Sequence, residues 1–227
     1  MRGGIRPRLR ATDVSRQNCR PMSNNSDIVF TPAARQAQSE RGAAQMYEKR
    51  AAAGFPATIT SELAAFIAER DTAFLATVSA TGAPYIQHRG GPKGFIKVLD
   101  EKTLGFADFA GNRQYITLSN LAGNDRAYLF LLDFAERRRI KIWGRARVVE
   151  DDPAQVARLA DPGYRARPER AILFTVEAWD VNCTQHITPR FTEAEVAAAL
   201  GPMRDRILAL EAENAQLRAA IAQQVAE

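Results

Sequence analysis

From Thr72 to Val181 the chain is written in short apolar runs joined by tight polar turns, and this constrains the fold more than any other feature. TAFLATVS (72–79), the turn Ala80-Thr81-Gly82 and APYIQHR (83–89) predict a β-hairpin. FIKVL (95–99) and TLGFAD (103–108) follow around Asp100-Glu101-Lys102. AYLFLLDF (127–134) and RIKIWGRARVVE (139–150) form another pair, and AILFTVEAWDV (171–181) is a last long strand. Residues Asn112 to Leu121 have helical spacing at Tyr115, Leu118 and Leu121 and stop at Gly123, while Asp151-Asp152-Pro153 opens a short helix. Strands joined by hairpins predict a mainly β fold, an antiparallel barrel with added helices. Nothing alternates as βαβ and no Gly-x-Gly-x-x-Gly follows a strand, which argues against a Rossmann fold.

The flanks have a different texture. Residues 32–53 are rich in Ala, Gln, Glu and Arg and predict a surface helix, interrupted near Gly42 and ended by Gly54 and Pro56. Thr60 reads as the N-cap of a short amphipathic helix carrying Leu63, Phe66 and Ile67 on one face. At the other end, Leu200, Ile207, Asn214 and Ile221 are spaced by seven, as are Met203, Leu210, Leu217 and Gln224. That is an a/d heptad pattern, and Asn214 at an a position favours one register and two strands. The alternative is an amphipathic helix packed on its own barrel. Pro202 suits the start of this helix. The expected organisation is a disordered basic tail (1–31), an N-terminal helical segment (32–59), a barrel domain (60–191) and a C-terminal helix or coiled coil (192–227).

Charge sharpens the partner classes. The formal net charge is +5, and residues 1–21 account for it with six arginines against Asp13. The remaining residues balance at 25 basic and 25 acidic side chains, so a nucleic-acid partner is not expected. The tail lacks an apolar stretch, so it reads as an extension or as sequence upstream of a start at Met22, with an anion-binding arm as the alternative. No run approaches the length of a membrane-spanning helix. With only Cys19 and Cys183, no disulfide framework is expected, and a reducing cytoplasm is the default setting.

Metal and nucleophile signals are weak: His88 and His186 stand far apart, and one Cys183-x-x-His186 unit cannot close a zinc site. No Walker sequence and no Gly-x-Ser-x-Gly occurs. More informative are polar groups where strands should be apolar. Gln87-His88-Arg89 ends one strand, Lys97 interrupts another, and Asn112-Arg113-Gln114 opens the helix that follows a strand. A helix N-terminus with an adjacent arginine suits a phosphate, although Lys97 and Arg113 also read as solvated side chains.

FLATVSATGAPYIQHRGG, FIKVLDEKTLGFADFAGNRQYITLSNLAGNDRAYLFLLD and RIKIWGRARVVEDDP together resemble the pyridoxamine 5′-phosphate oxidase-like family of FMN-binding split barrels, over about residues 60–190. The resemblance implies a six-stranded split β-barrel, a homodimer, and FMN held in two clefts at the dimer interface. It implies that Lys97 meets the flavin or its phosphate, that Asn112 and Arg113 contact the phosphate, and that Gln114 stands where a second basic residue is usual. By the same likeness Arg139 stands where a glutamine reaches the flavin from the second subunit, and Gln87, His88 and Arg89 line the flavin. The family's Arg-Leu-His-x-Arg substrate element is missing after Trp179; residues 180–191 carry Asn-Cys-Thr-Gln-His-Ile-Thr-Pro-Arg, where Gln185 and His186 are expected to close the site. The implied activity is that of an FMN-dependent oxidoreductase on a small-molecule redox substrate other than vitamin B6. The alternatives are flavin binding without turnover, or a deazaflavin or haem in place of FMN.

Overall fold

The computed structural model describes residues 24–182 and 184–226, in two compact units that divide between Phe55 and Pro56. The arginine-rich segment 1–21 and Cys183 lie outside the described residues.

The first unit is three short helices, α1 (Ser26–Val29), α2 (Pro32–Glu40) and α3 (Ala44–Ala53). Residues 24–31, assigned from sequence to the tail, carry a helical turn tied to the end of α3. Asn25 donates its amide to the Phe55 carbonyl (2.6 Å) and accepts from the Phe55 N–H (2.8 Å), and Phe30 packs edge-on to Phe55. The chain breaks between α2 and α3 at Gly42 (φ 70°), as its glycine suggests, and α3 ends on Gly54. Gly54 is required twice over, by a φ of 75° and because a Cβ there would sit 2.7 Å from the Asn25 Oδ1.

The second unit holds α4 (Ser61–Ala68), seven strands, two further short helices and a long terminal helix. The strands are β1 (Thr72–Val78), β2 (Pro84–Gly90), β3 (Lys97–Val98), β4 (Thr103–Phe109), β5 (Arg126–Asp133), β6 (Arg138–Val149) and β7 (Pro168–Asn182). They form one antiparallel sheet in the order β2-β1-β5-β6-β7-β4-β3. The mainly β, split-barrel class expected from sequence holds; the strands number seven, as the seven apolar runs suggest, against the six implied by the resemblance, and the run FIKVL is reduced to Lys97–Val98, a two-residue edge strand on β4. No β2–β3 or β2–β4 pairing occurs among the described residues, so the sheet is open at that seam.

Alternating burial explains the architecture. In β1 and β5 every second side chain is buried, and Ala73, Leu75, Leu129, Leu131, Ile140, Ile142 and Phe174 pack with Leu63, Phe66 and Ile67 of α4 into the main core. The Thr60 hydroxyl caps α4 by accepting from the Leu63 N–H. Against the other face of β4, β6 and β7 lies α6 (Pro153–Leu159), capped by Asp152, with Val156 and Leu159 on Ala107, Ala171 and Leu173. A bulge between Trp143 and Gly144 bends β6 over β7, and only glycine fits there, since a Cβ at 144 would lie 2.0 Å from the Thr175 carbonyl oxygen.

Two helix starts differ from expectation. α5 spans Ile116–Gly123, not 112–121, because Arg113 and Tyr115 take left-handed backbone and hold Asn112–Tyr115 as a loop. The terminal helix α7 runs Glu193–Ala226 with Pro202 in its interior, not at its start. Its first turn is set earlier by a capping box. Thr192 Oγ1 accepts from the Glu195 N–H, and the Glu195 carboxylate accepts from the Thr192 N–H (2.7 Å) and hydroxyl. Those bonds hold the Glu195 carboxyl below the usual range. The proline removes one donor on a helix whose carbonyls water reaches, which makes the interior position tolerable.

Candidate functional site

The open seam of the sheet is bridged by charge. In β2 the pleat turns Gln87 and Arg89 to the core face, in register with buried Leu75 and Ala73, and turns Ile86 and His88 away. In β4 the same alternation puts Asp108 on the face of Leu104 and Phe106, and the register pairs it with Arg170 of β7. Arg89 reaches across the seam to form an ion pair with Asp108. It also donates to Gln87 Oε1 (3.1 Å) and Thr117 Oγ1 (3.0 Å), and the Thr117 hydroxyl donates to Gln87 Oε1 (2.8 Å). From the other side Arg170 donates to Asp108 Oδ2 (3.1 Å), Glu150 (2.9 Å) and Glu169 (2.9 Å).

Asp108 and Arg170 are only 5% and 9% exposed, so each charge depends on its partners. Burial works against the Arg170 charge, but the Asp108 and Glu150 carboxylates outweigh it and hold its pKa above the ordinary value. The Nε of Arg89 is buried and has no hydrogen-bond partner.

Above this cluster the 110–115 loop closes one wall of a cavity of about 230 Å³, lined among others by Gln87, Arg89, Asp108, Arg113, Thr117 and Arg170. Asn112 Oδ1 accepts from the Gln114 N–H (3.2 Å), fixing a tight turn, and the Arg170 guanidinium lies 5.5 Å from the centre of the Tyr115 ring. Arg113, at φ 59°, is exposed on the cavity wall and makes no ion pair among the described residues.

Of the residues singled out from sequence, Gln87, Arg89, Asn112, Arg113 and Gln114 meet in this cavity. His88 faces the other side of β2, edge-on to Phe74 at 5.8 Å, and lines an adjoining cavity of about 180 Å³. Lys97 pairs with Gly105, and through it with Leu173, so it lies on the α6 face of the sheet, opposite to Asp108. Arg139 stands between Leu132 and Asn182 with its Nε buried and unpartnered. It shares a half-buried face with Phe74, Tyr128, Phe130 and Trp143, where burial pushes the Tyr128 hydroxyl up to about 12 against the pull of the Arg139 charge. Gln185 and His186 sit in an exposed turn after β7 and do not line the cavity.

Sequence reading missed Asp108, Thr117 and Arg170. Asp108 and Arg170 had a signal: each continues the core-facing alternation of its strand (Leu104, Phe106, Asp108; Arg170, Ile172, Phe174), and two opposite charges on one core face predict a pair. Thr117 had none, because its role follows from where α5 begins.

The model of the pyridoxamine 5′-phosphate oxidase family matches residues 59–183, more than half of the chain. The chain belongs to the pyridoxamine 5′-phosphate oxidase family. The family segment runs from just before α4 to the end of β7, so it contains the cavity and leaves α7 outside. No curated protein matches the chain. Among solved structures it is similar to HupZ of Group A Streptococcus, with 19% identity, a TM-score of 0.46, and coverage of 59% of this chain and 99% of that one. It is also similar to an FMN-binding protein from Syntrophomonas wolfei (13% identity, TM-score 0.43, 66% and 95% covered). A third is a Clostridium acetobutylicum protein related to general stress protein 26 (16%, 0.41, 60% and 94%). Among the described residues no three His, Cys, Asp or Glu side chains gather as metal ligands, and no helix is long and apolar enough to cross a membrane.

Proposed function

We propose that this family member is an FMN-binding flavoprotein, an oxidoreductase that passes hydride or electrons between a small-molecule substrate and an acceptor, and that it works as a homodimer. The observation that carries the reading is Arg113. It is a guanidinium with no ion-pair partner among the described residues, beside a cavity whose inner arginines are already matched by carboxylates. A phosphate dianion is the group such an arginine suits, because it accepts two parallel charge-assisted hydrogen bonds. The residues present fit FMN. Arg113, with the 112–115 loop and the first turn of α5, would hold the phosphate. Gln87, Thr117 and the unpartnered Arg89 Nε offer hydrogen-bonding groups further in.

When bound, FMN supplies reversible hydride and single-electron transfer. The chain's own part is to bind and orient: Asp108 fixes Arg89, Arg89 fixes Gln87 and Thr117, and the loop presents Arg113. His88, Lys97, Arg139, Gln185 and His186 do not line this cavity, and in this reading they contribute through a second copy. The half-buried face of Phe74, Tyr128, Phe130 and Trp143 is the surface we assign to that copy, and the unpartnered Arg139 Nε on it supports the assignment. The missing Arg-Leu-His-x-Arg element argues against a vitamin B6 substrate.

The test is direct. The purified full chain, reconstituted with FMN, is expected to show flavin absorption bands, to bind FMN more tightly than riboflavin, and to be reduced by NAD(P)H or another donor in stopped-flow. Failure to retain FMN, or equal affinity for FMN and riboflavin, overturns the phosphate assignment. Binding without reduction by any donor reduces the protein to a flavin carrier.

A further inference from the structure

We infer that α7 is one strand of a parallel, in-register, two-stranded coiled coil whose other strand is α7 of a second copy of this chain. The inference is independent of the flavin reading. Among its described side chains the 34-residue helix buries no apolar one: Leu200, Met203, Ile207, Leu217 and Ile221 are each 50–62% exposed. No described core residue comes from it. The packing of this helix on its own barrel is therefore not what the structure shows. Apart from Leu208 and Val225, the exposed large apolar side chains of the helix lie at a and d, the narrow stripe of a coiled-coil seam and not the broader face of a helix that lies on a globular core.

The seam specifies its occupant. With Leu200 at a, the e positions are Arg204, Glu211 and Arg218, and the g positions are Arg206, Glu213 and Ala220. In a parallel in-register pair each g residue meets the e residue of the partner's next heptad. Arg206 then faces the partner's Glu211, and Glu213 faces the partner's Arg218, so every charged g–e pair is attractive and each occurs twice by symmetry. Asn214, whose Nδ2 donates to the Leu210 carbonyl (3.0 Å), keeps its Oδ1 available and meets the partner's Asn214, amide against amide.

The antiparallel arrangements fail on the same residues. Full antiparallel overlap sets Glu211 against Glu211 and Arg204 against Arg218. A shift by one heptad restores the charges but buries Asn214 against Met203, where the amide has no partner. A self-complementary seam of this kind identifies a second copy, not a different protein, as the occupant.

Disulfide trapping in the full chain tests this. In a Cys19→Ser, Cys183→Ser background, single cysteines are placed at Met203 and Gln224, two d positions near opposite ends of the seam, and at Ala219, an outward f position. Met203→Cys and Gln224→Cys chains are each expected to link to themselves under mild oxidation roughly tenfold or more faster than Ala219→Cys chains, because of these three positions only the two at d meet across a parallel pair. Arg206→Glu should slow linking at Gln224→Cys, and adding Glu211→Arg should restore it. Equal rates at all three positions overturn the inference. Linking of Met203→Cys to Asn214→Cys chains, without self-linking at Gln224→Cys, overturns the parallel orientation.

Discussion

The seam cavity and the terminal helix handle exposed chemistry in opposite ways. At the seam, charges that ought to be solvated are buried, and each is answered from within the chain: Asp108 by two arginines, Arg170 by three carboxylates. Along α7, side chains that ought to be buried are in solvent, and nothing among the described residues covers them. The first region is complete without help except at Arg113 and the Arg89 Nε. The second, by our inference, is completed by a second copy of the chain. Polar groups therefore define the site here by what remains unmatched after internal pairing, while apolar groups define an interface by what was never paired.

Four substitutions or titrations would break or sharpen this contrast. The largest effect is expected at the centre of the seam. Asp108→Ala leaves two buried guanidinium groups without their shared carboxylate and should lower unfolding stability by about 3–5 kcal/mol in urea denaturation. A loss below 1 kcal/mol would mean the cluster is solvated and the contrast is overdrawn. Arg113→Ala, by contrast, should leave the melting temperature unchanged and weaken FMN by about ten- to a hundredfold, on the order of 1.5–3 kcal/mol, with little effect on riboflavin. If calorimetric titration shows both ligands weakened alike, the phosphate site belongs at Arg89 instead.

At the helix, Thr192→Ala removes both hydroxyl bonds of the capping box and should cost about 1 kcal/mol. The loss should appear as reduced helicity by circular dichroism while the barrel's own unfolding is unmoved. A matching loss in the barrel would couple the two regions.

The smallest effect is silent near neutrality. Because the Tyr128 hydroxyl is pushed up from about 10 to about 12, the folded state holds that proton longer than the unfolded chain does. Its contribution to stability is full below about pH 10 and is lost as pH rises towards 12. Absorbance titration near 295 nm should show one late-titrating tyrosine, and Arg139→Ala should move it later still.

The strands were legible because period-two burial is written directly into them: in β5 every second residue from Ala127 to Leu131 is buried, and its register follows. The run FIKVL also read as a strand, but only Lys97–Val98 of it pairs with β4, because the run is short and sits at the sheet edge. Five of the ten proposed site residues, Gln87, Arg89, Asn112, Arg113 and Gln114, came together because they lie on one strand end and in one loop, each a short run of sequence. The start of α5 was misread because nothing in Asn112-Arg113-Gln114-Tyr115 announces left-handed backbone at two non-glycine residues. Pro202 misled for the opposite reason: it is a sound helix-start signal, overridden by the stronger Thr192–Glu195 box.

The way the sheet closes has a mechanical consequence. Between β2 and β4 the link is a row of side chains, Arg89 to Asp108 with Gln87 and Thr117 behind it, and no backbone ladder spans the gap. Separating the two strands therefore costs an ion pair and a few side-chain hydrogen bonds but no main-chain pairing, and every strand keeps the neighbours that hold it in the sheet. The seam is a latch, not a weld: what fastens it is side chains alone.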